Sequence, residues 1–135
     1  MASEHSAQKA FLAFAGVHPS LRLFRNNRGA MVRESAGGSK RGFVRYGLGE
    51  GASDVIGFRK CEVADEYVAR FVAIEFKPPG WKFPARPPKP GASKATWKAY
   101  MRLVMQREFI EDVTAAGGLA GFARSLDEAR EIVGV

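Results

Sequence analysis

The sequence predicts an α/β fold in which a mixed central β-sheet is flanked by helices. Three segments carry apolar residues at helical spacing, at the start, in the last third and at the end of the chain. Short apolar segments bounded by glycine, proline and asparagine lie between them, which is typical of strands joined by turns. Because such helices pack on the faces of a sheet, we expect the 135 residues to form one domain, 1–135.

The part of the chain before the prolines predicts one helix followed by several strands. A helix over 3–15 has Ser3 as its N-cap, and Gly16 and Pro19 end it. The segment 26–42 is rich in glycine, serine and asparagine and predicts a loop, with a short strand near 31–33. Apolar runs predict further strands at 21–25, 43–48, 55–58 and 70–77.

The rest of the chain predicts a stiff insertion, a long helix, a strand and a final helix. Six of the seven prolines fall between 78 and 90, so about 78–94 is expected to be irregular. A helix over 94–116 ends at two glycines, a strand covers 119–123, and a helix covers 126–133 with Ser125 as N-cap.

The long helix carries apolar residues on two nearly opposite sides. One side holds Trp97, Met101 and Val104, and the other holds Gln106 and an apolar set of Phe109, Ile110 and Val113. A straight helix packed on one sheet needs a single apolar side. The pattern therefore predicts either a break near Val104 or a second packing partner for the first half.

Several protein classes are excluded by composition. Cys61 is the only cysteine, which excludes a disulfide scaffold and a four-cysteine zinc site. No apolar run reaches the ~18 residues of a membrane span, and the N-terminus lacks the pattern of a secretory signal. We expect a soluble protein of a reducing, cytoplasmic compartment in a bacterial or phage-infected cell.

The positive charge is concentrated in two parts of the chain. The net charge is +7, and residues 76–107 contain eight Lys or Arg and no acid. A second basic segment, 22–45, contains seven Lys or Arg and only Glu34. Such segments suit a polyanion such as nucleic acid, although a solvated surface that maintains solubility gives the same pattern.

Two short motifs contain candidate catalytic residues. Glu75 and Lys77 end an apolar strand on one face, where a carboxylate can hold a divalent cation and an ammonium can stabilise phosphoryl charge. Asp54 follows a glycine-rich turn at the start of another strand. The alternatives are a same-face ion pair for Glu75 and Lys77 and an ordinary turn residue for Asp54.

Asp54 followed by Glu75-x-Lys77 is the arrangement of the PD-(D/E)xK nucleases, and the wider pattern makes the likeness specific. In the order of its motifs the chain resembles the virus-type replication-repair nuclease (VRR-NUC) domain of that superfamily. The matching segments are Phe24-Arg25-Asn26-Asn27-Arg28-Gly29, Gly51-Ala52-Ser53-Asp54-Val55-Ile56-Gly57, Ala73-Ile74-Glu75-Phe76-Lys77, Gln106-Arg107-Glu108-Phe109 and Gly117-Gly118-Leu119-Ala120-Gly121-Phe122-Ala123.

The resemblance implies a restriction-endonuclease-like core and a DNA endonuclease that depends on Mg2+ or Mn2+. Asp54 and Glu75 would be metal ligands, with Glu4 on the first helix as a third, and Lys77 would be the catalytic lysine. Gln106 matches the family's glutamine at the start of the following helix. The implied substrate is branched DNA, such as a Holliday junction or a flap, and the implied assembly is a homodimer.

The chain departs from the family pattern at two places. The PD-(D/E)xK motif has a proline immediately before its aspartate, whereas this chain has Ser53 there. In addition, Gln106 follows Lys77 by 29 positions, where the family usually has a short connection. The extra segment is the basic proline-rich insertion, which is a DNA-binding arm, a dimer arm or a spacer. Its aromatic residues either stack on unpaired bases or fill a small local core; these are Trp81 and Phe83, with Trp97 following.

Other residues have both a functional and a structural interpretation. Glu4 either points to the metal site or is a first-turn acid favoured by the helix dipole, and Gln106 is either a site residue or a boundary residue. We expect basic and polar residues of the two basic segments to contact DNA: Arg25, Asn27, Arg41, Lys82, Arg86 and Lys89. The competing functions are a non-catalytic DNA-binding module and a phage replication accessory protein that kept the fold.

Overall fold

The structure is a computed structural model that describes residues 3–27, 29–34, 41–46 and 48–135, with the backbone alone for 29–34 and 41–46. Nine helices and strands lie within this part of the chain. They are α1 (Glu4–Val17), β1 (Leu21–Arg25), β2 (Gly29–Glu34), β3 (Arg41–Tyr46), β4 (Val55–Val63), β5 (Glu66–Phe76), α2 (Lys94–Ala115), β6 (Leu119–Ala123) and α3 (Leu126–Val133).

Four strands form a mixed sheet in the order β1-β4-β5-β6. The first three are antiparallel, and β6 pairs in parallel with β5 after the crossover through α2. The strands β2 and β3 form a separate antiparallel pair. The predicted mixed sheet with flanking helices is therefore confirmed.

The hydrophobic core lies between one face of this sheet and the helices α1 and α3. Successive strand residues point to opposite faces, so Val72, Ile74 and Phe76 point to one side. Phe11 of α1 is fully buried there, and its ring centroid lies 5.9 Å from that of Phe76. Val133 of α3 completes this cluster. The β5 residues that alternate with Val72, Ile74 and Phe76, which include Glu75, consequently point to the opposite face.

The opposite face is covered in part by α2, which packs on β5 and β6. Gln106 and Ile110 are the buried residues of this helix. Residues 94–105, about 18 Å of helix, include no buried residue, so this half extends beyond the covered part of the sheet. The helix runs without interruption from Lys94 to Ala115, and the predicted break near Val104 is wrong.

The three predicted helices and the strands β1 and β6 are confirmed. The strand β2 is longer than the one expected near 31–33, β3 lies at 41–46 instead of 43–48, and β4 and β5 are longer than predicted. They form one hairpin that closes at Ala64 and Asp65, both with positive φ. Little of its outer half is buried, and charged residues interrupt the apolar runs there, so the sequence did not predict a strand over 59–63 or 66–69. Predicted helix ends differ by at most two residues, because Ser3, Ser93 and Ser125 cap α1, α2 and α3.

Two glycines are required by close contacts. A Cβ on Gly57 would overlap the carbonyl oxygen of Arg22 in β1, so only glycine allows the two strands to approach there. Gly51 has φ +84°, and a Cβ on it would lie 2.8 Å from Met105 Cβ. The turn before Asp54 is therefore packed directly against α2. No helix in the described part of the chain is long and apolar enough to cross a membrane.

Candidate functional site

Asp54 and Glu75 face each other across the pairing of β4 with β5. Val55 pairs with Ile74, which places Asp54 opposite Glu75 on the face that α2 covers. The Asp54 amide N donates to Glu75 Oε2 at 3.1 Å, and the Phe76 amide N donates to Asp54 Oδ2 at 3.0 Å. Each carboxylate is thus held by the backbone of the other strand, and the two side chains have fixed positions.

Gln106 joins Glu75 to Lys77. Its Nε2 donates to Glu75 Oε1 at 2.9 Å, and its Oε1 accepts from Lys77 Nζ at 2.9 Å. An amide both donates and accepts, so glutamine can bridge an acceptor-only carboxylate and a donor-only ammonium. Lys77 Nζ also lies 3.7 Å from Glu75 Oε1. The structure therefore brings together four of the five predicted catalytic residues.

The burial of Glu75 is made possible by these donors. The residue is only 4% exposed, and an isolated carboxylate in such a place would lose several kcal/mol of hydration energy. An amide N–H, a side-chain amide and an ammonium compensate for part of that loss. Gln106 is equally buried, in the middle of α2 and not at its start as the resemblance implied. The role of this residue therefore depends on packing that brings the centre of the helix to the end of β5.

The two carboxylates fit a hard divalent cation. Carboxylate oxygens are the ligands that Mg2+ and Mn2+ prefer, and ligating carboxylates commonly accept further hydrogen bonds, as Asp54 and Glu75 do. Lys77 lies beside Glu75, and the charge of a bound cation would further reduce the repulsion between the two carboxylates and a phosphate. The described residues contain no group of three or more His, Cys, Asp or Glu side chains able to hold a metal. Glu4 is exposed in the first turn of α1 and does not form such a group with Asp54 and Glu75, so its metal role stays a prediction.

The proline-rich insertion packs against the strand next to the site. Trp81 lies on Phe122 of β6 with ring centroids 5.0 Å apart, and Phe83 lies 6.2 Å from the same ring. Arg124 Nη1 donates to the Trp81 carbonyl at 3.2 Å. Trp81 and Phe83 therefore fill a small local core, one of the two interpretations that the sequence left open. Trp97 lies apart from them, edge-on to Tyr100.

This local core also forms one wall of the site. Phe122 pairs with Glu75 across the parallel strands and so lies on the same face. Lys77 Nζ is 5.3 Å from the Trp81 ring centroid and 5.9 Å from that of Phe122. Aromatic faces attract a cation at such distances. The insertion therefore helps to hold the ammonium of Lys77 beside Gln106.

Asn26 has a positioning role that the sequence analysis did not assign. Its backbone N donates to the Asp54 carbonyl at 2.7 Å, and its Nδ2 donates to the Ser53 carbonyl at 3.1 Å. Asn26 thus joins the end of β1 to the residues that begin β4. The sequence did offer one indication of this role, because Asn26 follows a predicted strand within the segment 24–29 that matches the family pattern. Ser53 is buried, and its hydroxyl has no hydrogen-bond partner in the described part of the structure.

Five of the six predicted DNA-contacting residues are exposed in the structure. Arg25 and Asn27 are exposed at and after the end of β1. The exposed cations of the insertion are Lys82, Arg86 and Lys89. Arg41 begins β3, and its side chain lies outside the described part of the structure. These positions agree with solvent-facing phosphate contacts, and their binding role stays a prediction.

Comparison of this chain with known protein families, curated proteins and solved structures finds no match.

Proposed function

We propose that this chain is a divalent-metal-dependent DNA endonuclease, a VRR-NUC domain on a restriction-endonuclease-like core. The observation that carries the proposal is the hydrogen-bonded group of Asp54, Glu75, Gln106 and Lys77. These residues are up to 52 positions apart, from Asp54 to Gln106, yet they meet at one end of the sheet. They are also the residues that the motif resemblance selects, which is an independent reason to expect them together.

Each residue of the group has a chemical task in phosphodiester hydrolysis. Asp54 and Glu75 would hold Mg2+ or Mn2+, which when bound polarises a phosphoryl oxygen and activates water. Lys77 keeps a positive charge beside these carboxylates, where it can stabilise charge that develops on the phosphate. Gln106 orients the Lys77 ammonium by accepting from it and holds the Glu75 carboxylate in place by donating to it.

The proposed substrate is branched DNA, such as a four-way junction or a flap. The two basic segments, 22–45 and 76–107, would supply the sequence-independent attraction to phosphate. The choice of branched over linear DNA follows from the resemblance to standalone family members. A homodimer would supply two active sites to a two-fold symmetric junction.

Cleavage of a substrate panel by the wild type and two matched variants tests the proposal. The panel contains a linear duplex, a flap, a fork and a four-way junction, each with Mg2+, Mn2+ or EDTA. Asp54→Asn removes one ligand charge while an amide oxygen can still accept from the Phe76 N–H. Asp65→Asn is the control, because it makes the same change at an exposed turn that asparagine tolerates.

We expect cleavage only with a divalent metal, and a loss of about a hundredfold or more in Asp54→Asn. Asp65→Asn should cleave normally. Binding of Asp54→Asn to DNA in EDTA should be unchanged or tighter, because a negative charge near phosphate is removed. Full cleavage by Asp54→Asn would refute the site. Junction binding without any metal-dependent cleavage by the wild type would instead identify a non-catalytic DNA-binding or accessory protein.

A further inference from the structure

One part of the sheet exposes large aromatic side chains. Phe24 of β1, Phe58 of β4, and Tyr67 and Phe71 of β5 are between 40% and 68% exposed. Phe58 pairs directly with Phe71, and Phe24 pairs with Ile56, which lies two positions before Phe58. Because side chains alternate along a strand, all four aromatic residues point to the same face. We call this surface the aromatic face.

The aromatic face is continuous with the candidate active site. Asp54 and Glu75 point to the same side of the sheet, since Ile56 follows Asp54 by two positions and Phe71 precedes Glu75 by four. Four positions correspond to about 13 Å along a strand. The helix α2 packs on β5 and β6 at the other side of this face. A flexible chain lying on the aromatic face would therefore run directly to the carboxylates.

Cations are interleaved with the aromatic rings. Arg22 pairs with Phe58 and lies exposed beside it. Lys60 Nζ lies over the Tyr67 ring, 4.0 Å from its centroid. The same face carries one acid near its far end, Glu62, which pairs with Tyr67. Exposed flat rings with basic residues between them are the two elements of a surface for unpaired nucleotides: the rings stack on bases and the cations contact phosphates.

We propose that the aromatic face binds a single-stranded segment of nucleic acid and directs it to the active site. A duplex keeps its bases stacked inside and offers no free ring face, so the aromatic residues select an unpaired strand. A second copy of the chain fits less well, because a two-fold contact would place Arg22 and Lys60 against the same charges. Trp81 and Phe83 do not serve this purpose, since they already pack on Phe122. The inference rests on the proposed function only in stating that the bound strand leads to the active site.

Binding in EDTA measures the aromatic face without cleavage. The probes are a fluorescein-labelled oligothymidine of about twelve nucleotides, which lies within the usual site sizes, and a duplex of the same length. The variants are Tyr67→Ala and Phe24→Leu, and the second removes the ring while it keeps apolar bulk. Val17→Ala is the control, because Val17 is 86% exposed at the end of α1. Thermal unfolding checks that each variant is folded.

We expect each aromatic variant to weaken oligothymidine binding by about tenfold, which is within the range for loss of one stacked base. Duplex binding and the Val17→Ala variant should be unchanged. Equal weakening of both probes, or of neither, would overturn the inference. A lower sedimentation coefficient of the folded Phe24→Leu protein would also overturn it and assign the face to a second copy of the chain.

The inference and the proposed function can fail separately. If oligothymidine binds through Tyr67 and Phe24 but no branched substrate is cleaved with any metal, the nuclease proposal fails and the aromatic face stands. If Asp54→Asn abolishes cleavage while the aromatic variants bind both probes like the wild type, the site stands and the aromatic face fails.

Discussion

Glu75 is a buried carboxylate whose hydrogen-bond donors compensate for its lost hydration. Asp54 and Gln106 donate to its two oxygens, and the ammonium of Lys77 lies nearby. Removal of any one donor would leave a buried charge with less compensation, at a cost of about 1–3 kcal/mol or more. The same hydrogen bonds would also occur in a purely structural ion-pair network. The cleavage kinetics of a variant that lacks one of these side chains distinguish a catalytic group from such a network.

Lys77→Ala is expected to lower kcat much more than it changes KM. If the ammonium stabilises charge that develops during hydrolysis, its loss affects the transition state and not the bound substrate, by about a hundredfold or more. Cleavage of the preferred substrate with Mg2+ at varied substrate concentration measures both constants. Lys82→Ala is the control, since Lys82 is exposed in the insertion. A large rise in KM with normal kcat would make Lys77 a phosphate anchor.

The proline-rich insertion, at about 78–94, packs more closely on the domain than its sequence suggested. Six prolines and no acid suggested an arm that extends away from the domain. In the structure Trp81 and Phe83 pack on Phe122, and Arg124 holds the Trp81 carbonyl. The insertion is therefore fixed to β6 near its start, while its cations remain exposed. Fixing the backbone reduces the entropy lost when those cations contact DNA.

Replacing Lys82, Arg86 and Lys89 together by alanine tests contact between the insertion and DNA. If each neutralises one phosphate, the slope of log K against log salt on duplex DNA should become shallower by about 3 units. Fluorescence anisotropy between low and moderate salt measures the slope. Thermal stability should be unchanged, because the three side chains are exposed. An unchanged slope would show that the insertion does not contact DNA and would favour a dimer-bracing role.

An ion pair between Arg124 and Glu128 lies at the first turn of α3. Arg124 donates to the Glu128 carboxylate through its side chain and its backbone N, and these bonds hold the pKa of Glu128 below its usual value of 4.5. The hydrogen bond to Glu128 in turn raises the pKa of Arg124. A carboxylate with a lowered pKa stabilises the folded state above the unfolded pKa, and this stabilisation is lost as the pH falls through the folded value.

The variant Glu128→Gln should therefore unfold at a lower temperature than the wild type at pH 7. The difference in Tm should shrink as the pH falls below about 4.5, because protonation removes the same charge from the wild type. Differential scanning calorimetry between pH 7 and pH 3 measures it. Glu131→Gln, on the exposed side of the same helix, is the control. A difference in Tm that does not depend on pH would assign the effect to packing instead of charge.

The whole molecule presents two unequal faces. One face of the sheet is sealed by α1 and α3 and holds the hydrophobic core. The other carries the candidate site, the aromatic face and α2, whose first half has no buried residue. Met101 is 48% exposed there, next to the half-buried Trp97 and Val104. Among the described residues, no part of the chain fully buries this apolar stripe, and its burial between two copies stays a prediction.

Sedimentation at micromolar concentration should give twice the chain mass of 14.7 kDa. Met101→Lys should shift the population to the monomer, because a charge in the centre of an apolar contact must lose its hydration. Val17→Lys, at an exposed position on α1, is the control and should remain dimeric. A strict monomer that still cleaves a four-way junction would contradict both the dimer and its role in cleavage.

Much of this architecture could be read from short stretches of the chain. Serine caps, helical spacing and apolar runs predicted all three helices and the strands β1 and β6, because these signals act between residues a few positions apart. The motif around Asp54, Glu75 and Lys77 likewise marked the candidate site. The outer halves of β4 and β5 were harder to predict, because they pair with each other in a hairpin whose side chains stay mostly exposed, so no buried face imposes an apolar pattern on them.

The arrangement of the site itself depended on packing between remote segments. Gln106 lies 31 positions after Glu75, and it meets Glu75 because α2 crosses back over β5 with Gly51 close against Met105. Trp81 could have stacked on bases, and its contact with Phe122 decided against that. The resemblance implied Glu4 as a third metal ligand, yet Glu4 lies exposed and outside any group of three potential ligands among the described residues. Local sequence specifies which side chains a face of an element presents, whereas the energy of burying distant surfaces against each other selects their partners.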